Sequence, residues 1–234
     1  MSRTVWITGA SRGIGKALAD ILLEKGYKLA LSARSEESFS NSGFRNGGNV
    51  IILPCDISVK KEVESAYTGI KEKFGTPDIL VNNAGIGIFA PFTELSEDEF
   101  DKMISINFKG CFLCSKAVIN DMLKRKSGAV INVLSGAAIK GFPNSSVYGA
   151  TKAAVLGMSR ALREEVRDSG VKICDILPGA TETEMWPDEP RRQFSERMMK
   201  PEDAAQAISS LIELSANPRA MPEELLLKPQ WGDL

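Results

Sequence analysis

The side chains in this sequence best suited to moving protons are Tyr148 and Lys152, because the chain contains no histidine. Without imidazole there is no Ser-His-Asp relay, no His-ligated zinc and no histidine base, so an acid or base near neutral pH is a tyrosine, lysine, cysteine or carboxylate. Tyr148 and Lys152 lie four residues apart in a run that reads as helix from Val147 to Arg167, which puts both side chains on one face. Tyrosine at its ordinary pKa near 10 is a poor base at pH 7. A cation ~4 Å away at an effective dielectric of about 20 contributes roughly 4 kcal/mol, or about three pKa units, enough to make the phenol a working acid and base. The expectation is that Lys152 lowers the pKa of Tyr148. A Tyr and a Lys at this spacing also occur by chance in many helices, so the pair acquires meaning only from the elements around it.

A second group of residues is suited to a phosphate. Thr8-Gly9-Ala10-Ser11-Arg12-Gly13-Ile14-Gly15 separates an apolar run, Thr4 to Ile7, from an amphipathic one, Lys16 to Lys25. Strand, glycine turn and helix follow one another there. The glycines permit a sharp turn and close approach of a ligand, and the helix start offers free N–H groups and the positive end of its dipole to a diphosphate. The spacing is Gly-x-x-x-Gly-x-Gly, so the Gly-x-Gly-x-x-Gly dinucleotide fingerprint is met in mechanism and not in letter.

Positioning these groups requires a sheet. Tyr27 to Ser32, Val50 to Leu53, Ile79 to Val81, Ala129 to Leu134, Val171 to Leu177 and Leu225 to Leu227 read as further strands, mostly continuous apolar runs as expected when both faces are covered. Between them lie helical runs: Ala17 to Leu23, Val59 to Phe74, one capped by Ser96 with Glu99 in the capping-box position, Phe108 to Lys124, Val147 to Arg167, and Pro201 to Leu214. Ser35 to Gly48 reads as loop with one short turn. Strands alternating with helices imply a doubly wound parallel α/β sheet, a Rossmann fold, in a single domain over 1–234, with its ligand at the carboxyl ends of the strands. Asp56, the run Asn82-Asn83-Ala84-Gly85, Ser135 and the pair Pro178-Gly179 all follow predicted strands, and their joint placement sets them apart from ordinary turn residues.

Composition bounds the rest. The chain has 234 residues, 25% of them charged, with a formal net charge of -1, which gives no electrostatic reason to expect nucleic acid or a membrane surface as partner. A strand begins almost at once, leaving no room for a targeting segment, so the expected location is the cytoplasm. Cys55, Cys111, Cys114 and Cys174 form no dense disulfide framework, and the Cys-x-x-Cys pair lies in a helical run with no further ligands, so all four are read as buried small residues and no metal site is expected. Residues 184–200, with Met185, Trp186, Arg191, Arg192, Phe194, Met198 and Met199, read as a lid over the substrate pocket, and its apolar members suit a medium-sized hydrophobic carbonyl compound. Arg191 and Arg192, or Lys124-Arg125-Lys126, are either solvated charge or docking points for an acidic carrier protein.

With these motifs in order and in register, the sequence resembles the short-chain dehydrogenase/reductase (SDR) family over nearly its whole length. The family's glycine motif is residues 8 to 15, its Asn-Asn-Ala-Gly residues 82 to 85, its Tyr-x-x-x-Lys Tyr148 to Lys152, its serine Ser135 and its catalytic asparagine Asn107. The resemblance implies a reversible NADP(H)-dependent carbonyl reductase or alcohol dehydrogenase, with 3-oxoacyl-carrier-protein reduction as the alternative and a non-catalytic NADP(H) sensor a more distant one. It implies that Tyr148 exchanges the proton, Ser135 binds the reacting oxygen, Lys152 tunes the tyrosine and binds the nicotinamide ribose, and Asn107 holds a water in the proton path. Cofactor contacts are implied for Gly9, Ser11, Arg12, Gly13, Ile14 and Gly15 at the diphosphate, Asp56 and Ile57 at the adenine, Asn83, Ala84 and Gly85 on the adenosine side, and Pro178, Gly179 and Thr183 near the nicotinamide. NAD-specific folds of this type place a carboxylate just after strand two, where this chain has Ala33 and Arg34. Arg34 and Arg12 then converge on a 2′-phosphate, so NADP(H) is expected over NAD(H). A homodimer through the two long helices, or a homotetramer, is also implied. Two departures stand out: the glycine- and asparagine-rich link from strand two to strand three, and a C-terminus lacking the family's frequent Asp-Gly-Gly.

Overall fold

A computed structural model describes residues 2–234. Seven strands form one parallel sheet: β1 (Thr4–Thr8), β2 (Lys28–Ala33), β3 (Val50–Pro54), β4 (Ile79–Asn82), β5 (Gly128–Val133), β6 (Val171–Pro178) and β7 (Glu224–Leu227), in the order β3-β2-β1-β4-β5-β6-β7. The helices are α1 (Gly13–Glu24), α2 (Lys60–Phe74), α3 (Glu97–Met103), α4 (Cys111–Arg125), α5 (Ser146–Val166), α6 (Asp188–Phe194) and α7 (Pro201–Leu214). The expected doubly wound sheet is what the chain forms.

Alternation along β1 explains the two layers. Val5 and Ile7 pack on one face with Leu18 and Leu22 of α1 and Ile208 and Ile212 of α7. Trp6 points the other way, into a cluster with Ile70 of α2 and Val118 and Met122 of α4. Strand order reverses between β1 and its two neighbours, β2 and β4, which opens a crevice beyond their carboxyl ends. The capping box at Ser96 forms, its hydroxyl accepting from the Glu99 N–H.

Three local features correct or add to the sequence reading. Tyr27 is not in β2: its N–H donates to the Leu22 carbonyl and closes the end of α1. The loop after β2 contains a short 3₁₀ turn, Glu36–Phe39, and buries Phe39 and Phe44 in the core, a packing role its polar composition conceals. The helical runs before and after residue 104 are joined by a π-helical stretch, Ile104–Gly110, which carries Asn107. All four cysteines are free and buried, as expected of small core residues. Among the described residues no helix is long and apolar enough to cross a membrane.

Candidate active site

A cleft of about 850 Å³ runs across the carboxyl ends of the strands. The end expected to take a diphosphate is built from two motifs that are structurally one. Thr8 Oγ1 accepts from the N–H groups of Asn83 and Ala84, each at 3.1 Å, and Asn83 Nδ2 donates to the carbonyls of Thr8 at 2.9 Å and Gly9 at 3.0 Å. The turn after β1 is thereby fastened to the turn after β4. Gly9 and Gly13 have φ of 64° and 52°, a region that favours glycine, and a Cβ on Gly9 would lie 2.8 Å from the Ala84 Cα. Ser11, Arg12, Gly13 and Ile14 line the cleft, and α1 begins there with no acidic residue in its first turn. Gly15 is not among the residues lining the cleft, and a Cβ there would abut the Gly9 carbonyl oxygen, so its glycine serves packing of the turn.

The end expected to take the adenosine is walled by Ala33, Arg34, Ser38, Asp56 and Ile57. Asp56 Oδ1 accepts from the Ser58 N–H at 2.9 Å and hydroxyl at 2.7 Å, which fixes the carboxylate at the end of β3. Arg12 and Arg34 are exposed and form no ion pair with a carboxylate among the described residues, Glu36 and Glu37 included. A dinucleotide fits this half: glycines where a side chain would obstruct it, an uncapped helix N-terminus at the turn and two free cations at the far end.

Ser135, Tyr148 and Lys152 converge on the middle of the cleft, together with Asn83, Ala84, Gly85, Pro178, Gly179 and Thr183. Ser135, at the end of β5, accepts from the Ala137 N–H at 3.1 Å. Tyr148 is buried, and burial raises its pKa while the neighbouring Ser135 hydroxyl pulls it down. Lys152 Nζ donates to the Val133 carbonyl at 3.0 Å and lies 5.8 Å from the centre of the Tyr148 ring. Burial lowers the Lys152 pKa to about 8, opposed by the Cys111 thiol. The expected lowering of the Tyr148 pKa by its lysine is therefore not seen. The ammonium is held toward a backbone carbonyl, and desolvation dominates for both groups.

Asn107 does not line the large cleft. Its Oδ1 accepts from the Ile86 N–H at 2.8 Å, and its Nδ2 donates to the Ile86 carbonyl at 2.9 Å and Thr151 Oγ1 at 3.1 Å. It braces the segment after Gly85 against α5 and borders a small cavity, beside the cleft, shared with Lys152.

At the substrate end Phe89, Phe142, Met185, Trp186 and Phe194 form an apolar wall. Phe89 meets Tyr148 edge to face, ring centres 5.3 Å apart, and stacks against Trp186 at 6.3 Å. The segment expected as a lid contains α6 and a 3₁₀ turn, Ser195–Arg197. Its root rests on the glycine turn, since a Cβ on Gly13 would meet Thr183 Cγ2 at 3.3 Å. Met198 and Met199 are buried outside the cleft and anchor the segment, a correction to their expected place in the pocket. Arg191 pairs with Asp188 at 2.7 Å and does not line the cleft, nor does Arg192. Sequence reasoning missed Ser38, Phe89, Phe142 and Asp233. Asp233 lines the cleft mouth and pairs with Lys140 at 2.8 Å and Lys228 at 3.0 Å.

Comparison with known proteins agrees with this geometry. Residues 3–193 match the family model described as short chain dehydrogenase, and the chain belongs to that family. It is 38% identical over 185 residues to an uncharacterized oxidoreductase of Thermotoga maritima, covering 78% of this chain and 73% of that one. Among solved structures it resembles ElxO with NADP bound, at 31% identity and a TM-score of 0.87 over 99% of both chains. It also resembles a 3-ketoacyl-(acyl-carrier-protein) reductase of Brucella melitensis complexed with NADH, at 27% identity and a TM-score of 0.89 over 98% of both. The protein is an oxidoreductase with a Rossmann-type fold.

Proposed function

We propose that this chain is an NADP(H)-dependent oxidoreductase that exchanges hydride between a nicotinamide and a carbonyl or secondary-alcohol carbon, with Tyr148 as the acid and base. The observation that carries the reading is the convergence of Ser135, Tyr148 and Lys152 in a cleft whose other end holds the glycine turn and two unpaired arginines. The nicotinamide supplies the hydride when bound. Ser135 orients the substrate oxygen, Tyr148 gives or takes the proton at that oxygen, and Lys152 lends positive charge and a ribose contact. Asn107 keeps one lone pair on Oδ1 for a water at the proton exit. Phe89, Phe142 and Trp186 receive the apolar body of a medium-sized carbonyl compound. Residues 184–200 act as the lid of a one-domain enzyme working in the cytoplasm.

Reduction of a 3-oxoacyl group on a carrier protein is the second reading, supported by the likeness to the Brucella melitensis reductase. Of the basic residues such docking needs, three are engaged within the chain, whereas Arg192 and Lys126 form no ion pair among the described residues. Arg191 pairs with Asp188, Lys124 with Asp121, and Arg125 with Asp78 while also donating to the carbonyls of Thr76 and Pro77. A spectrophotometric screen of ketones, aldehydes, quinones and a 3-oxoacyl thioester with NADPH tests both. Oxidation of NADPH by the apolar carbonyls is the expected result; tight NADPH binding without turnover on any class would make the protein a sensor. The assembly proposed is at least a dimer through α4 and α5, where Phe112 stands exposed on α4. Light scattering at micromolar concentration should give at least twice the 25.4 kDa of one chain.

A further inference from the structure

Beneath the catalytic residues lies a buried row of polar side chains that the reaction does not use directly. Asn82, Asn132 and Asp175 are buried Cα partners in register across β4, β5 and β6, and Asp175 is in turn in register with the exposed Glu224 of β7. Asn82 Nδ2 donates to Asn132 Oδ1 at 2.9 Å and to Ser115 Oγ at 3.0 Å, and Asn132 Nδ2 donates to Asp175 Oδ1 at 2.9 Å. On α5, Lys152, Ser159 and Arg163 follow one another at helical spacing along the face that meets this row. Ser159 Oγ donates to Asp175 at 2.7 Å, and Arg163 Nη2 donates to Asp175 Oδ2 at 2.7 Å. Arg163 is 3% exposed and Asp175 is wholly buried.

A buried ion pair of this kind is a poor way to stabilise a sheet, because apolar residues of the same volume commonly do as well or better. Its connections point to the active site instead. Asn132 is followed by Val133, whose carbonyl accepts from Lys152 Nζ. Asn82, Asn107, Asn132 and Lys152 border a small cavity of about 10 Å³ beside the cleft, roughly what one water requires. Asn82 Oδ1 is the one buried side-chain polar atom without a hydrogen-bond partner among the described residues, and the Lys152 ammonium has donors beyond the one given to Val133. A water in that cavity would accept from the lysine and donate to Asn82.

We propose that Asp175 and Arg163 are positioning residues for Lys152, holding the Val133 carbonyl and one bridging water in place through Asn132 and Asn82. This rests on the reading of Lys152 as part of the proton-transfer site, and the test separates the two. In Arg163→Leu/Asp175→Val the row is cut while the volume is kept; the protein should fold, melt near the parent and bind NADPH as before, while kcat falls about tenfold at unchanged KM. Arg163→Gln/Asp175→Asn leaves an uncharged amide at each position, with the Asn oxygen still able to accept from Asn132, and should return kcat to within about twofold of the parent. A merely structural role would make activity follow melting temperature in both. If the apolar pair does not fold, Ser159→Ala carries the test, with kcat reduced about threefold at the parent's melting temperature. Parent-like kcat in the folded apolar pair or, where that pair does not fold, in Ser159→Ala overturns the proposal, as does a crystal structure with ordered internal waters that leaves the cavity dry. Near-normal turnover in Lys152→Ala overturns the underlying reading of the lysine, whatever the row does.

Discussion

The two ends of the cleft are made of different material. The end walled by the glycine turn, Asn83 and Arg34 is mostly backbone, fastened by short-range motifs: Thr8 and Asn83 bond each other's turns, and Gly9 is glycine because the Ala84 backbone lies against it. The other end is a set of rings from segments far apart in the chain, Phe89 after β4, Phe142 before α5, Trp186 and Phe194 after β6. A cofactor common to many enzymes fixes backbone geometry, whereas the choice of substrate is left to side chains on connecting segments. Tyr148 stands where the two meet, and the strongest test of the division is made there. Tyr148→Phe keeps the ring against Phe89 and removes the hydroxyl, so turnover should fall by at least ~10² while NADPH binding, followed by fluorescence titration, stays at the parent value. Loss of binding together with turnover would show that the ends are not separable at this residue.

The cofactor end has its own test, of intermediate size. Arg12 and Arg34 are both free of carboxylate partners, and charge-assisted pairs to a 2′-phosphate contribute about 1.5–3 kcal/mol each. Preference for NADPH over NADH in kcat/KM should therefore exceed roughly tenfold. Ala33→Asp with Arg34→Ala restores the carboxylate that would bind ribose hydroxyls and repel the phosphate, and should reverse the preference without changing the range of carbonyl substrates accepted. Equal kcat/KM for both cofactors in the parent would show that the arginines do not read the phosphate.

The same division governs what the sequence discloses. Continuous apolar runs marked every strand of the sheet to within a residue or two, and a strand followed by three glycines located the diphosphate end, because these features act over neighbouring residues. The spacing of Tyr148 and Lys152 predicted a shared face, and they share one. Their electrostatics were not legible: a Coulomb argument at an assumed distance gave a lowered tyrosine pKa, whereas desolvation at the bottom of a folded cleft raises it. Phe89 carried no signal, since it stands in an irregular stretch and acquires its role only when Gly87 lets its ring fold back; a Cβ on Gly87 would lie 2.7 Å from Phe89 Cζ. Asp233 likewise reaches the cleft only through tertiary ion pairs with Lys140 and Lys228.

The smallest effect is expected at the substrate end, and it is the one that locates the boundary. Trp186 stacks on Phe89 at an interplanar angle of 25° with ring centres 6.3 Å apart, and Phe89 in turn meets Tyr148 at 62°. Among the ring pairs of the described residues, Trp186 is linked to Tyr148 through Phe89. Removing one aromatic partner forfeits about 0.5–1.5 kcal/mol of ring contact, equivalent to a two- to tenfold change in affinity. Trp186→Ala should raise KM for an apolar ketone by roughly that factor while leaving kcat and NADPH affinity at parent values, since uniform binding is lost and the proton path is untouched. Phe89→Ala removes a ring that packs on Tyr148 itself, so it should raise KM and also lower kcat by a few-fold. Steady-state kinetics on the two variants with one ketone, varying ketone and NADPH separately, decide the matter. If Trp186→Ala raises KM for NADPH and not for the ketone, the tryptophan covers the nicotinamide, and the substrate end begins at Phe142 and Phe194.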